Sequence, residues 1–314
     1  GIWTTLAQVV ADELGADWRT VAVEPAPIGL GYANRVLARD AAADWPLPEG
    51  AGRWLADELA ARGSLMATWD STSVRAFEEP MRIAAAAARE ALCRAAAARW
   101  DVDPATCDTA AGIVASGERR LRFGEVAADA AALAPPDRPP SPRGPGTGRI
   151  LGRPLGRVDA PAKVDGSFRY AADVRVPGMV FAAIAGVPWA EQAAAAAPAE
   201  EQAARSVAGV LAVVRNPGWT AVVARDSWAA ARGLALIRSR AGTAGLADSN
   251  AIAATLRTAL AAAEAEPAAA GLIAADYAVG FTPHAAPEPL AAAARAIGDR
   301  VEVWAPSQAP GLMR

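Results

Sequence analysis

Apolar residues recur at helical spacing through much of the first part of the chain, and short runs of hydroxyl, glycine or proline residues interrupt them. Residues 4–14 predict a helix that begins at a threonine pair and ends at Gly15. The alternation over 18–23 predicts a short strand. Residues 71–100 predict the longest helix of the chain, which Pro80 should end or kink within its first turns.

A second pattern surrounds a proline- and glycine-rich segment, Ala134–Gly148, which predicts a linker without regular structure. Just before it, residues 112–133 predict two strands around a glycine turn and then a helix from Gly124 to Leu133. Because strands and helices are interspersed without strict βαβ alternation, the fold class is predicted to be α+β. Beyond the linker the pattern predicts paired strands at 168–176 and 180–184, further strands at 207–216, 219–226, 274–279 and 300–306, and helices at 227–240 and 251–266.

Composition and charge narrow the possible functions. The chain of 314 residues is 53% hydrophobic and 21% charged, which is typical of globular proteins and long enough for two domains. Its net charge of -3 offers no basic surface for a phosphate backbone, so nucleic acid is not an expected partner. Two cysteines and one histidine exclude a disulfide framework and most zinc sites. Charged residues interrupt every alanine tract, so no apolar run has the length of a membrane span.

Residue chemistry alone leaves the candidate sites ambiguous. The hydroxyl residues within 68–75 precede the longest predicted helix, where they could cap it or bind an anion. The cap is favoured locally, because the charge of Asp70 would oppose an anion. His284 lies in a proline-rich loop and has no catalytic partner that the pattern reveals, so a surface role is favoured. Cys93 lies among apolar residues and is predicted to be core.

The segment 152–179, GRPLGRVDAPAKVDGSFRYAADVRVPGM, contains Lys163, the one lysine in the chain. It resembles the start of the α/β-hammerhead domain of the xanthine dehydrogenase and aldehyde oxidoreductase family, the molybdenum hydroxylases. The resemblance implies that Lys163 is structural and pairs with a nearby acid or carbonyl, because a compact ammonium suits such a site. The matching positions are Gly152, Pro154, Arg157, Asp159, Lys163, Val164, Gly166, Tyr170, Asp173, Pro177, Gly178 and Met179.

The order of segments extends this resemblance over nearly the whole chain. Residues 1–133 resemble part of the molybdopterin-binding domain in the subfamily of isoquinoline 1-oxidoreductase beta subunits and membrane-linked aldehyde dehydrogenases. Residues 134–148 would then be a linker and 149–245 the hammerhead domain. Residues 246–314 would begin a second molybdopterin-binding segment. In this subfamily a piece of the cofactor domain precedes the hammerhead, as it does here.

The resemblance also implies site residues. Residues 68–75 fall on the family motif Thr-Gly-Gly-Ser-Thr-Ser-Val-Arg, which favours an anion cradle over a plain cap. Trp69 and Asp70 replace its two glycines. His284 and Glu288 match a loop near the substrate channel, whereas no residue matches a catalytic base or a metal ligand. The implied cofactor-binding residues are Gly1, Thr68, Ser71, Thr72, Ser73, Val74 and Gln308.

The implied function is that of a cofactor-binding subunit of an oxidoreductase that hydroxylates aldehydes or N-heterocycles with oxygen from water. The cofactor would be molybdopterin with molybdenum, in its cytosine dinucleotide form. The partners would be an iron–sulfur small subunit or a cytochrome c electron acceptor. The chain is expected to be a fragment without the region of the catalytic glutamate, and so inactive alone. The alternative is a degenerate or truncated non-catalytic scaffold. Periplasmic export by a twin-arginine leader and a cytoplasmic location both stay open.

Overall fold

The computed structural model describes residues 1–136, 138–144, 150–186, 198–216, 218–237, 248–263, 271, 273, 275–283 and 285–313. The chain forms two compact units. The first comprises Gly1–Val174 with Leu290–Arg314, and the second comprises Arg175–Pro289. Both units combine helices with small antiparallel sheets, which confirms the predicted α+β class. The domain limits implied by the resemblance stay predictions.

The helices are α1 (Ile2–Leu14), α2 (Arg35–Ala41), α3 (Glu49–Arg62), α4 (Thr72–Trp100), α5 (Phe123–Ala131), α6 (Ala160–Asp165), α7 (Pro198–Arg205), α8 (Ser227–Leu234) and α9 (Ser249–Ala263). The strands are β1 (Asp108–Ala110), β2 (Ile113–Ser116), β3 (Arg119–Arg122), β4 (Phe181–Gly186), β5 (Val210–Asn216), β6 (Trp219–Ala224), β7 (Ala293–Ile297) and β8 (Arg300–Trp304).

The core of the first unit lies where α4 packs against α1 and α5, with the sheet β1–β2–β3 beside them. The inner face of α4 is rich in alanine, and small side chains let helix axes approach closely. Burial raises the pKa of the Cys93 thiol to about 11, so this residue is an inert part of the core, as predicted. The buried cluster consists of Leu92, Cys93, Ala95, Ala96, Val114, Val126 and Ala130.

The predicted helices of this unit are present with shifted ends. The helix α1 begins two residues before the threonine pair, so Thr4 is buried inside it and is not a cap. The Thr4 hydroxyl instead accepts a hydrogen bond from the backbone N–H of Val158 (3.2 Å). The helix α4 continues through Pro80, so of the two predicted outcomes, an end or a kink, the end is wrong. Its long packed face downstream offsets the roughly 3 kcal/mol that an internal proline costs.

Glu13 is the centre of a buried ion network that joins α1, α4 and the predicted linker. Its side chain is 1% exposed and lies 2.9 Å from Nη2 of Arg89 and 3.7 Å from Nη2 of Arg82. The backbone N–H of Arg143 donates to both carboxylate oxygens, at 2.8 and 3.0 Å. The described residues of the linker contain no helix or strand, as predicted, but Arg143 holds this segment against the core.

The second unit contains the sheet β4–β6–β5, in which β6 pairs antiparallel with both neighbours. The helices α7 and α8 pack against this sheet and bury Ala204, Val222 and Ala230. The strands predicted over 207–226 are confirmed by β5 and β6. The helix predicted over 227–240 is present as α8 but ends at Leu234, and residues 238–240 lie outside the described residues.

Three strand predictions need correction. The predicted pair around Pro177–Gly178 is wrong: 168–176 contains a 3-10 turn at Ala171–Asp173, and β4 pairs with β6. Residues 18–23 form a 3-10 turn at Trp18–Thr20, and residues 21–23 have no strand partner among the described residues. The described residues 275–279 form no strand, whereas β8 pairs with the unpredicted β7. Alternation marks a segment suited to a sheet, but a strand also needs an edge to bond.

The segment around Lys163 confirms its predicted structural role. The ammonium lies 2.8 Å from Oδ2 of Asp159, the N-cap residue of α6, and 4.9 Å from the ring centre of Phe168. Arg157 approaches the same carboxylate at 2.6 Å. The hydrogen bonds from Arg157 and Lys163 hold the pKa of the Asp159 carboxyl far below its usual range.

Asp159→Asn is expected to lower the free energy of unfolding by about 1 kcal/mol at neutral pH, because its two cationic partners are partly exposed and screened. Because the pKa of Asp159 is lower in the folded than in the unfolded protein, its carboxylate stabilises the folded state above the unfolded pKa of about 3.9. The loss on substitution should therefore be constant down to about pH 5 and vanish in stronger acid. Urea unfolding of both proteins between pH 3 and pH 7 measures it. A difference that grows on acidification would contradict this assignment. The exposed Asp44→Asn is the control.

Candidate functional site

The chain enters α4 through two consecutive residues in the left-handed region. Asp70 has a φ of 56° and Ser71 a φ of 53°. Ser71 is exposed and makes no side-chain capping bond, so the simple cap that local reasoning favoured is wrong. Glycine favours this backbone region, and Asp70 stands where the family motif has glycine. Asp70 therefore holds a backbone conformation that glycine would adopt more readily.

Thr72 fixes this turn from inside. It is fully buried, and its hydroxyl donates to the carbonyl of Trp69 (2.8 Å) and accepts from Nδ2 of Asn34 (2.7 Å). The same Asn34 amide donates to the carbonyl of Ala67 (2.9 Å), and its Oδ1 caps α2 at Leu37 (3.0 Å). Sequence reasoning missed Asn34. In the sequence Asn34 has the pattern of an ordinary helix cap. That pattern cannot reveal that its side chain also bonds Thr72, 38 residues away.

Thr68 and Gln308, which are 240 residues apart in sequence, meet beside this turn. The backbone N–H of Thr68 donates to the carbonyl of Gln308 (2.9 Å), and the Thr68 hydroxyl lies 3.4 Å from the same oxygen. Ala309 is buried with Leu37 and Ala67, and Trp69 packs half-buried against this cluster. Tertiary packing therefore places two of the predicted cofactor-binding residues together.

A cavity of about 550 Å³ adjoins these residues in the first unit. One face of α1 forms a wall, residues 21–26, which form no helix or strand, form another, and the start of α4 with Ser307, Gln308 and Pro310 contributes to the rest. Thr68, Ser73 and Gln308 belong to its lining, together with Tyr32 and Glu24. Its further lining residues are Ile2, Trp3, Leu6, Ala7, Val10, Ala11, Leu14, Ala16, Val21, Ala22, Val23, Pro25, Ala26, Met66, Ala67, Phe77, Met81, Ser307 and Pro310.

Other predicted site residues lie outside this lining. Gly1 caps α1, and a Cβ atom there would lie 3.7 Å from the guanidinium of Arg157. Ser71 is exposed and Val74 is half-buried. Glu288 is half-buried in the second unit, and His284 lies outside the described residues. The structure therefore gathers part of the predicted cofactor set and leaves the predicted channel residues untested.

The charges near the turn are arranged around Arg75. Its guanidinium lies 2.8 Å from Oδ2 of Asp40, and these hydrogen bonds raise the pKa of Arg75 above its usual value. Asp70 carries the only carboxylate of the turn 70–73, and this residue is exposed. Within the described ranges, no cluster of three or more histidine, cysteine or acidic residues could hold a metal ion. None of the described helices combines the length and apolarity needed to cross a membrane.

These residues fit a phosphate-bearing cofactor. The helix dipole at the start of α4 favours an anion, and the Ser71 side chain makes no capping hydrogen bond there, although the backbone N–H of Thr72 donates to the carbonyl of Trp69 (3.3 Å). Trp69 is packed within the cluster of Leu37, Ala67 and Ala309. Asp70 is exposed, so its repulsion is screened by solvent.

Comparison with known proteins first identifies the class of protein. No protein-family model matches the chain, but two curated proteins of the molybdenum hydroxylase family are similar to it. The resemblance found in the sequence is thereby confirmed.

The particular relatives are as follows. The isoquinoline 1-oxidoreductase subunit beta of Brevundimonas diminuta is 30% identical over 277 residues, which are 77% of this chain and 32% of that protein. The membrane-bound aldehyde dehydrogenase [pyrroloquinoline-quinone] of Gluconacetobacter polyoxogenes is 29% identical over 185 residues, which are 57% of this chain and 20% of that protein. The chain thus spans a third or less of the length of these relatives.

Proposed function

We propose that this chain supplies part of the cofactor bed of a molybdenum hydroxylase large subunit that oxidises aldehydes or N-heterocycles. The observation that carries the proposal is the uncapped left-handed turn of Asp70 and Ser71 at the start of α4. It adjoins Thr68, which is hydrogen bonded to the Gln308 carbonyl. Two relatives with oxidoreductase names support the reaction class.

The role of these residues is to bind and orient the cofactor. Backbone N–H groups of the first turn of α4 would hold phosphate oxygens, and the hydroxyl of Ser71 is exposed beside them. Thr72 and Asn34 keep the turn in shape through buried hydrogen bonds. Molybdopterin with molybdenum, as its cytosine dinucleotide, would supply the metal site at which water-derived oxygen is transferred.

The proposal includes the domain organisation and partners that the resemblance implies. Residues 1–133 and 246–314 would belong to cofactor-binding segments, and 149–245 would form a hammerhead domain. His284 and Glu288 would lie near the substrate channel. Electrons would leave through an iron–sulfur small subunit or a cytochrome c. The name of the first relative, a subunit beta, supports an assembly with other subunits.

Molybdenum content tests this proposal. The chain would be purified from a host that makes the cofactor, and molybdenum would be measured by elemental analysis together with pterin fluorescence after acid release. Both signals are expected in comparable amounts. Asp70→Gly should raise retention about twofold to fivefold, because removal of a charge near an anion at the surface changes binding by up to roughly 1 kcal/mol.

Asp101→Gly is the matched control, because Asp101 is also left-handed (φ 53°) but lies at the opposite end of α4. It should leave retention unchanged. Folded chains of wild type and Asp70→Gly that both lack molybdenum and pterin would contradict the proposal and support a non-catalytic scaffold. Retention of pyrroloquinoline quinone, which the name of the second relative contains, would also contradict it.

A further inference from the structure

We infer that this chain pairs with a second copy of itself through the outer edge of β8. The pairing would join two β7–β8 hairpins into one four-stranded antiparallel sheet about a two-fold axis. Three features of the hairpin carry the inference: an open edge, an exposed apolar face and a charge pattern that fits its own copy. None of them depends on the proposed cofactor role.

The outer edge of β8 has backbone groups to offer. The hairpin β7–β8 is a sheet of two strands, and no third strand pairs with it among the described residues. Only residues 298–299 join the strands, so the closing pair Ile297 and Arg300 exchanges its backbone hydrogen bonds inside the hairpin. Because bonded and non-bonded pairs alternate along an antiparallel ladder, Val301 and Val303 turn their N–H and C=O groups outward. This edge can therefore bond another strand.

The two faces of the hairpin differ in polarity. On one face, Arg295 forms an ion pair with Glu302 and its guanidinium lies 5.8 Å from the centre of the Trp304 ring. The other face is apolar, and its Val301 and Val303 are 67% and 55% exposed. A lone two-stranded hairpin is marginally stable in water, and further strands stabilise it. A second copy paired to β8 supplies two more strands.

Charge complementarity selects the register of the pairing. With Val301 on the two-fold axis, Arg300 of each copy lies directly opposite Glu302 of the other copy, and both residues belong to the polar face. Cross-strand pairs of opposite charge stabilise a sheet, whereas like charges directly opposite destabilise it. A register shifted by two residues would place the two Glu302 carboxylates opposite each other. The axis at Val301 is therefore favoured.

The other edge of the hairpin, along β7, fits its own copy less well. With Ala294 opposite Ala296, the two Arg295 side chains would face each other and repel. With Ala296 on the axis, Arg295 would face Ile297, and no opposite charges would meet. Ala293 is 5% exposed at the base of the strand, so the pairing cannot shift in that direction. The outer edge of β8 is therefore the one that a second copy fits.

The small size of this interface predicts a weak dimer. The pairing is confined to one strand of five residues in each copy and the turn beside it. Stable complexes bury roughly 1,200–2,000 Å² in total and use about 20–30 residues a side. The dimer is therefore expected to form only at micromolar or higher concentrations of the chain.

Sedimentation velocity of the complete 314-residue chain over a series of concentrations tests this inference. The wild-type chain is expected to shift from monomer to dimer as its concentration rises. Arg300→Glu should weaken dimerisation at least tenfold, because two-fold symmetry turns both ion pairs into repulsive pairs. Arg169→Glu makes the same change at an exposed site outside the hairpin, and this matched control should leave dimerisation unchanged.

A mixture of two charge variants separates pairing from folding. Arg300→Glu alone and Glu302→Arg alone each place like charges opposite across the axis, so each variant should stay monomeric. An equimolar mixture should form heterodimers, because each substituted residue then faces an opposite charge in the other chain. Glu302→Arg also loses the ion pair with Arg295, but that loss is the same with or without mixing and cannot produce the recovery.

Val301→Pro tests the backbone part of the pairing. The substitution removes an N–H group that points outward at the axis, so it takes no hydrogen bond from the hairpin itself. We expect dimerisation to be lost while circular dichroism stays that of the folded wild-type chain.

A wild-type chain that stays monomeric at every concentration would overturn the inference and mean that a second copy does not cover this edge. A dimer that Arg300→Glu and Val301→Pro leave unchanged, or a mixture of the two charge variants that forms no heterodimer, would also overturn it. Molybdenum content enters none of these measurements. Failure of the pairing would therefore leave the proposed cofactor role standing, and loss of that role would leave the pairing standing.

Discussion

Glu13→Gln is expected to lower the free energy of unfolding of the first unit by about 3 kcal/mol, the lower end of the range for breaking a buried ion pair. The Glu13 side chain is 1% exposed, whereas Arg89 and Arg82 are 21% and 26% exposed, so the stranded cations keep some contact with water. The neutral amide would also turn one N–H donor group toward the donating backbone of Arg143.

Urea unfolding followed by circular dichroism measures this effect, with Glu58→Gln as the matched control. Glu58 also pairs with an arginine, Arg62, at 3.1 Å, but its side chain is 40% exposed. Surface pairs of this kind contribute below about 0.5 kcal/mol. Similar losses for both substitutions would show that the Glu13 network does not hold the linker segment against the core.

Gly15→Ala is expected to cost about 3 kcal/mol, through backbone strain and a close contact together. Gly15 ends α1 with a φ of 71°, where an L residue loses roughly 1–2 kcal/mol. A Cβ atom there would also lie 2.6 Å from the carbonyl oxygen of Thr109, and a backbone atom of β1 cannot move aside without disturbing the sheet.

Gly117→Ala separates these two contributions. Gly117 has a φ of 56° in the turn between β2 and β3, and a Cβ atom there would meet nothing within 4 Å. This substitution should lower the free energy of unfolding by about 1 kcal/mol, which is the cost of the left-handed backbone alone. Thermal or urea unfolding of both variants gives the difference. Equal losses would mean that the approach of Gly15 to Thr109 is not limiting.

Local periodicity predicted the helical elements best, because helical hydrogen bonds join residues close in sequence. The α1 helix and its end at Gly15 were predictable, and so was most of α4. The pairing of Lys163 with an acid was implied by the family resemblance, and it is also a local contact, between residues four apart at the start of α6. The hairpin of β2 and β3 followed from a glycine turn within a few residues.

Strand pairing was less predictable, because the partner of a strand can lie far away in the sequence. The alternation over 18–23 marked a possible strand, yet no described neighbour bonds it. The predicted partner of β4 was the adjacent segment, but β6 takes that place, with paired residues 33 to 43 positions apart in the sequence. The strand β7 lacked a clear alternating pattern and forms because β8 follows it directly.

The sequence by itself determined the α+β class, the principal helices and the relation to the molybdenum hydroxylases, since each depends on local spacing or on motifs in a fixed order. Only the tertiary structure decided that Thr68 meets Gln308, that Asn34 holds Thr72, and that a cavity adjoins them. These features depend on contacts between residues tens to hundreds of positions apart. Such contacts form when buried polar groups must find partners and apolar faces must leave water.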